Sequence, residues 1–241
     1  MVNKQQNKSE RQRKASVGIL MLETQFPRIL GDLGNAASWD FPVQYAIVKG
    51  ASAPKALGAE SRALLDSFIV AGRELIANGA DGITTSCGFL SLMQKELSAA
   101  INAPVAASSL MQVPWVQSLL PDGKRVGVLT VHADNLTAEH LQAAGAAIDT
   151  PVEGTEHGSE FTRVILNDET RMDIAAARED NLQAAQALIH KHDNIGAIVL
   201  ECTNMVPYAA DIQLSTGLPV YSIYTFINWF QAGLVAKRFT V

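Results

Sequence analysis

The chain has 241 residues, 48% of them hydrophobic, 18% charged and 6% aromatic, with a formal net charge of −5. Such a chain buries a core as one large domain or two modest ones, which excludes small stapled scaffolds and disordered or collagen-like classes. No apolar run approaches the roughly 20 residues of a membrane span, and the acidic balance speaks against nucleic acid, so a small-molecule partner is expected.

Residues 1–14 carry five Lys or Arg against one Glu and read as a solvated basic tail. The apolar stretch Ala15 to Leu22 that follows is short, is interrupted by Glu23 and precedes no small-residue cleavage site, so no export signal is expected. From Ser16 onward, short β-branched apolar runs alternate with longer segments of helical period, the pattern of strand-helix units and parallel sheets. Strands are predicted at Val17 to Met21, Tyr45 to Val48, Gly82 to Thr85, Val105 to Ala107, Val126 to Thr130, Ala197 to Leu200 and Val220 to Ile223. Between them Ala59 to Asn78 forms a helix with Leu64, Leu65, Phe68, Ile69, Leu75 and Ile76 on one stripe, stopped by Gly79. Ile174 to His192 repeats the arrangement with Leu182, Ala185, Leu188 and Ile189. The class is α/β.

The halves are alike in detail. Gly82-Ile83-Thr84-Thr85-Ser86-Cys87 leads through a helix to Ala103-Pro104-Val105, and Ala197-Ile198-Val199-Leu200-Glu201-Cys202 leads to Leu218-Pro219-Val220. Each cysteine stands four residues after an Ile and 17 before a Pro-Val strand start. Upstream, Ser16-Val17-Gly18-Ile19-Leu20 matches Arg125-Val126-Gly127-Val128-Leu129. Two related lobes are implied.

Each cysteine ends an apolar strand at a turn into a helix, Leu90 to Ile101 in the first lobe and about Pro207 to Ser215 in the second. This carboxyl edge is where open parallel sheets bind ligands, and a helix N-terminus there is expected to lower a thiol's pKa. A rough two-fold between the lobes would set Cys87 and Cys202 on opposite sides of one cleft, as a proton relay. A lone buried cysteine is more often a small hydrophobe, but equivalent positions in a repeat favour function. A redox pair lacks the C-x-x-C pattern, and no His or Asp accompanies either thiol at zinc-ligand spacing. Two cysteines are also too few for a secreted disulfide framework, so reduced thiols in the cytoplasm are expected.

In Thr84-Thr85-Ser86-Cys87-Gly88-Phe89-Leu90 and Leu200-Glu201-Cys202-Thr203-Asn204-Met205 the sequence resembles the aspartate/glutamate/hydantoin racemase superfamily, over nearly the whole chain after the tail. The resemblance implies two pseudo-symmetric three-layer lobes with mostly parallel sheets, residues 15–118 with 221–241 forming one and 119–220 the other, and an active site in the inter-lobe cleft. It implies no cofactor and no metal, with Cys87 and Cys202 as the acid/base pair of a racemase or epimerase acting beside a carboxylate, and Thr203 holding that carboxylate. Amino-acid racemases carry Cys-Asn-Thr where this chain has Cys87-Gly88-Phe89. Glutamate racemases have Asp at the position of Met21 and His at that of Asn204. These departures point away from glutamate and aspartate, and Phe89 and Met205 suggest a less polar substrate. The same superfamily contains arylmalonate decarboxylases, which keep one of the two cysteines, and maleate isomerases, whose nucleophile would match Cys87.

Abstraction beside a carboxylate builds an enolate-like dianion, so oriented donors are needed. Backbone N–H groups of Gly88 and Thr203 are candidates, with the side chains of Ser86, Thr203 and Asn204, each of which could instead be a helix cap. Arg28 could clamp a carboxylate or pair with Asp32. Thr130 and His132 reach the same edge from the second lobe's opening strand, His132 reading as a loop residue. Glu201, where many relatives have Gly, is a carboxylate in a strand that should be buried. A salt bridge at a lobe or subunit contact is the favoured reading, with modulation of a thiol as the other. Gly154, His157 and Gly158 read as a loop that could close over a ligand. No nucleotide-binding glycine loop is present. A homodimer or higher homo-oligomer is the default for such an enzyme, and a ligand-binding protein without turnover is the rival from another class.

Overall fold

The alternation of apolar runs and amphipathic segments folds into two four-stranded parallel sheets in a computed structural model that describes residues 13–57 and 59–239. In the first lobe β1 (Val17–Leu22), β2 (Val43–Val48), α1 (Ala53–Leu57), α2 (Leu65–Ala77), β3 (Gly82–Thr85), α3 (Gln94–Ala100), β4 (Val105–Ala106) and α4 (Val113–Leu119) follow in order. The second runs β5 (Arg125–Thr130), α5 (Ala138–Ala143), β6 (Val152–Gly154), α6 (Phe161–Asn167), α7 (Ile174–Lys191), β7 (Ile195–Leu200), α8 (Ala209–Thr216) and β8 (Val220–Tyr221), and α9 (Ile223–Leu234) closes the fold. The sheet orders are β2-β1-β3-β4 and β6-β5-β7-β8, so the two lobes have one topology.

The matched opening strands have a common reason. Each is the second strand of its sheet, paired on both edges and covered by helices. A Cβ on Gly18 would sit 2.7 Å from Ile83 Cδ1 and 3.0 Å from Leu75 of α2, and one on Gly127 would sit 2.7 Å from Leu188 of α7. Both glycines let a crossover helix lie close on the strand. All six residues of β1 are buried. Leu20 and Leu22 face the main core, whereas Val17, Ile19 and Met21 face a second cluster with Trp39, Ile223, Phe226 and Ile227. α9 thus returns to the first lobe.

Local differences from the sequence expectations are physical. Residues 1–12 lie outside the described residues. Arg13 and Lys14, the end of the expected tail, are exposed but tied down, Arg13 by a two-pronged pair with Asp81 (2.7 and 2.8 Å) and Lys14 by donation to the Asp40 carbonyl (2.5 Å). The helices after both cysteines begin as 3-10 turns, Gly88–Met93 and Thr203–Tyr208. The stretch read as a possible lid is built into the lobe. Gly154 ends β6, and Asp180 of α7 accepts from the backbone N–H groups of Ser159, Glu160 and Phe161 at 3.1, 2.7 and 2.8 Å. Asp180→Ala strands these donors, that of Phe161 in a buried place, and should cost about 1–3 kcal/mol, read as a lowered urea midpoint with unchanged slope.

Among the described residues no helix is long and apolar enough to cross a membrane.

Candidate active site

The ends of β3 and β7 bring Cys87 and Cys202 to one pocket, each in an extended conformation just before its 3-10 turn. Leu22, Phe26, Phe89, Val131 and Ile165 supply apolar walls, and Ser86, Gly88, Glu201, Thr203 and Asn204 complete the polar side. Among the described residues on this lining there is no Lys, Arg or His.

The turns are stitched together across the lobes. Thr203 Oγ1 donates to the Ser86 carbonyl at 2.8 Å, and Ser109 Oγ donates to the Leu200 carbonyl at 2.7 Å. Ser86 Oγ in turn accepts from the Leu22 N–H at 2.9 Å. The Ser86 and Thr203 side chains therefore hold the cleft's frame as well as lining it. Phe89 is buried edge-on against His140, with ring centroids 5.1 Å apart.

Cys202 and Asn204 form the start of a chain of contacts. The Cys202 thiol donates to Asn204 Oδ1 at 3.6 Å, Asn204 Nδ2 donates to Asp32 Oδ2 at 2.6 Å, and Asp32 also accepts from the Gly34 N–H at 2.7 Å and from Arg28 at 3.1 Å. Asp32 is only 2% exposed, and it fixes which way the Asn204 amide points. Sequence reasoning passed over Asp32 except as a partner for Arg28. The signal available was its spacing of four from Arg28. Arg28 spends its other terminal nitrogen on Thr24 Oγ1 at 2.9 Å and stacks over Phe26 at 4.4 Å, so it stands behind the pocket wall rather than on the lining.

Both thiols are harder to ionise than an ordinary cysteine, against the sequence expectation of a depressed pKa. Burial pushes Cys87 up to about 12, the nearby Glu201 charge pushes in the same direction, and the N–H groups of Phe89 and Leu90 and the Arg28 charge offset only part. Cys202 is raised well above its usual value, first by burial and then by Glu201, with the Asn204 N–H opposing. Two or three oriented dipoles do not outweigh removal from water.

Glu201 is fully buried and forms no ion pair among the described residues, so the expected salt bridge within the chain is absent. Its partner is Thr130, whose hydroxyl donates to Oε2 at 2.7 Å. Oε1 is buried without a partner. Burial drives the Glu201 pKa up to about 8, with Thr130 pulling the other way. Among the described residues no group of three His, Cys, Asp or Glu side chains is placed to hold a metal ion.

No family model matches the chain. In sequence it is similar to a dimethylsulfoniopropionate lyase of Durusdinium sp. clade D, 25% identical over 92% of this chain and 75% of that one. It is also similar to dimethylsulfoniopropionate lyase 7 of Emiliania huxleyi, 27% identical over 91% of this chain and 67% of that one. In structure it is similar to arylmalonate decarboxylase, with a TM-score of 0.58 and 17% identity over 93% of this chain and 94% of that one. It also matches the aspartate racemase of Picrophilus torridus, with a TM-score of 0.56 and 15% identity over 94% and 96% of the two chains. The chain has the two-lobed fold of the aspartate/glutamate/hydantoin racemase superfamily.

Proposed function

We propose that this is a cofactor-independent enzyme that takes the proton from the carbon next to the carboxylate of a small substrate, with Cys87 and Cys202 as opposed acid and base. One observation carries the reading: two cysteines at equivalent places in two lobes line a single apolar pocket. One thiolate accepts the α-proton, the electron pair moves into the carboxylate as an enolate, and the other thiol gives its proton to the opposite face. The product is the mirror image, and the thiols have exchanged roles. Both thiols are neutral in the free protein, so one must first give its proton to solvent; the thiolate so formed in a dry cleft is a strong base, suited to a very weak carbon acid. Gly88 and Thr203 N–H groups, at the starts of the two turns, are the donors this reading assigns to the enolate charge.

A second reading keeps the first step and changes the outcome. If the β-carbon bears a sulfonium group, the enolate pair expels it, the carbon–sulfur bond breaks, and dimethylsulfoniopropionate yields acrylate and dimethyl sulfide. The names of the sequence relatives favour it, as do apolar walls around a lining without a cation.

The test is incubation in D2O with hydantoins, amino acids, 2-substituted carboxylates, dimethylsulfoniopropionate, maleate and an arylmalonate, followed by NMR. Deuterium at the α-carbon with inversion is the expected result, and acrylate with dimethyl sulfide selects the second reading. Maleate or arylmalonate consumption alone would replace both with isomerisation or decarboxylation, and an inert panel would favour a binding protein.

A further inference from the structure

A carboxylate entering this pocket meets a difficulty that the fold must resolve. Sites for carboxylates usually supply an Arg or Lys, yet the described lining holds none, and Arg28 has both terminal nitrogens engaged by Asp32 and Thr24. What it holds instead is a second carboxyl group. Glu201, besides the two cysteines, is the only ionisable residue on the described lining. Two carboxylates in a dry cleft repel strongly, and one proton shared between them removes the repulsion.

The geometry around Glu201 suits the protonated form. Thr130 donates to Oε2 and leaves Oε1 buried with no partner, an unsatisfied oxygen of the kind that calls for a ligand or a role. Gly88 explains how Oε1 comes to lie at the turn, because a Cβ there would fall 2.2 Å from it. We propose that Glu201 is carried in the cleft as an uncharged carboxylic acid whose Oε1 hydroxyl donates a hydrogen bond to the substrate's carboxylate, in the place that an arginine would otherwise take. The inference rests on the preceding reading for the nature of the ligand, and it names the group that recognises it.

The ionisable surroundings are consistent. The thiols from the turns after β3 and β7 stay neutral through the range where Glu201 titrates, since both are raised far above it. The loop after β1 presents Asp32 and Arg28 as a mutual pair. β5 presents the Thr130 hydroxyl, with His132 beyond the strand's end. An ordinary carboxylate loses its proton near pH 4, whereas burial holds that of Glu201 to about 8. Ligand binding that requires the acid form therefore weakens as pH rises past that point.

The experiment measures the dissociation constant of propionate by NMR titration from about pH 6 to about pH 9.5. For the wild type the affinity should be flat below about pH 7 and fall by about tenfold per pH unit once Glu201 ionises. Glu201→Gln, whose amide also donates, should bind propionate with no such fall, and Glu201→Leu should bind roughly tenfold or more weakly than the wild type below about pH 7 and likewise show no fall at higher pH. A pH-independent wild-type affinity, no propionate binding, or a Glu201→Gln curve parallel to the wild type would each overturn the inference. Propionate binding needs no turnover. A Glu201-dependent fall in an enzyme inert to every carbon acid would sink the proposed reaction and leave this assignment standing, and the converse pattern would do the reverse.

Discussion

Cys87→Ala and Cys202→Ala should each lower inversion of the substrate by about 10²–10⁴-fold, the usual contribution of a positioned general acid or base. The pattern of what survives is more telling than the loss. If the two thiols serve opposite faces, each variant keeps one base, and that base still removes and returns the α-proton of one enantiomer. Cys87→Ala would then exchange deuterium into one enantiomer and Cys202→Ala into its mirror image, both without inversion. In an elimination the second thiol has no proton to deliver to carbon, because the leaving group carries the electron pair away. One variant would then be inactive and the other within about tenfold of wild type. Deuterium exchange on separated enantiomers, together with acrylate release, decides between these outcomes. Equal retention of turnover in both variants would remove the cysteines from the chemistry.

The repeat was readable because it is local. The Ile-x-x-x-Cys spacing, the shared 17 residues to Pro-Val, and the twin Gly18 and Gly127 each follow from one strand-turn-helix unit, and the sheets have the expected class. β6 escaped prediction because Val152–Gly154 is three residues with a glutamate in the middle and too short to express a period. Partners were the harder matter. Glu201 meets Thr130 across 71 residues and Asn204 meets Asp32 across 172, and no spacing rule reaches that far. The thiol pKa expectation failed for a related reason. A helix start is visible in sequence, but the depth of burial and, for Cys87, the closeness of Glu201, which outweigh it, belong to the packing of one lobe on the other.

Gly88→Ala should destabilise the protein by about 3 kcal/mol, the upper end for overpacking, with a lowered urea midpoint as the readout. The added Cβ would lie 2.2 Å from Glu201 Oε1 and 2.4 Å from the Glu201 carbonyl oxygen. The side chain can swing aside at the expense of its bond to Thr130, but the carbonyl belongs to the backbone of the opposite lobe and moves only if the cleft opens. Glu201→Gly in the same chain removes the first clash and leaves the second. The double variant should therefore recover about 1 kcal/mol and no more, a coupling measurable by a double-mutant cycle. Gly233→Ala is the control. It sits in α9, where an added Cβ would meet nothing within 4 Å, so the change should be neutral or stabilising by up to about 1 kcal/mol through helix propensity. Full additivity of Gly88→Ala and Glu201→Gly would mean that the two residues do not meet.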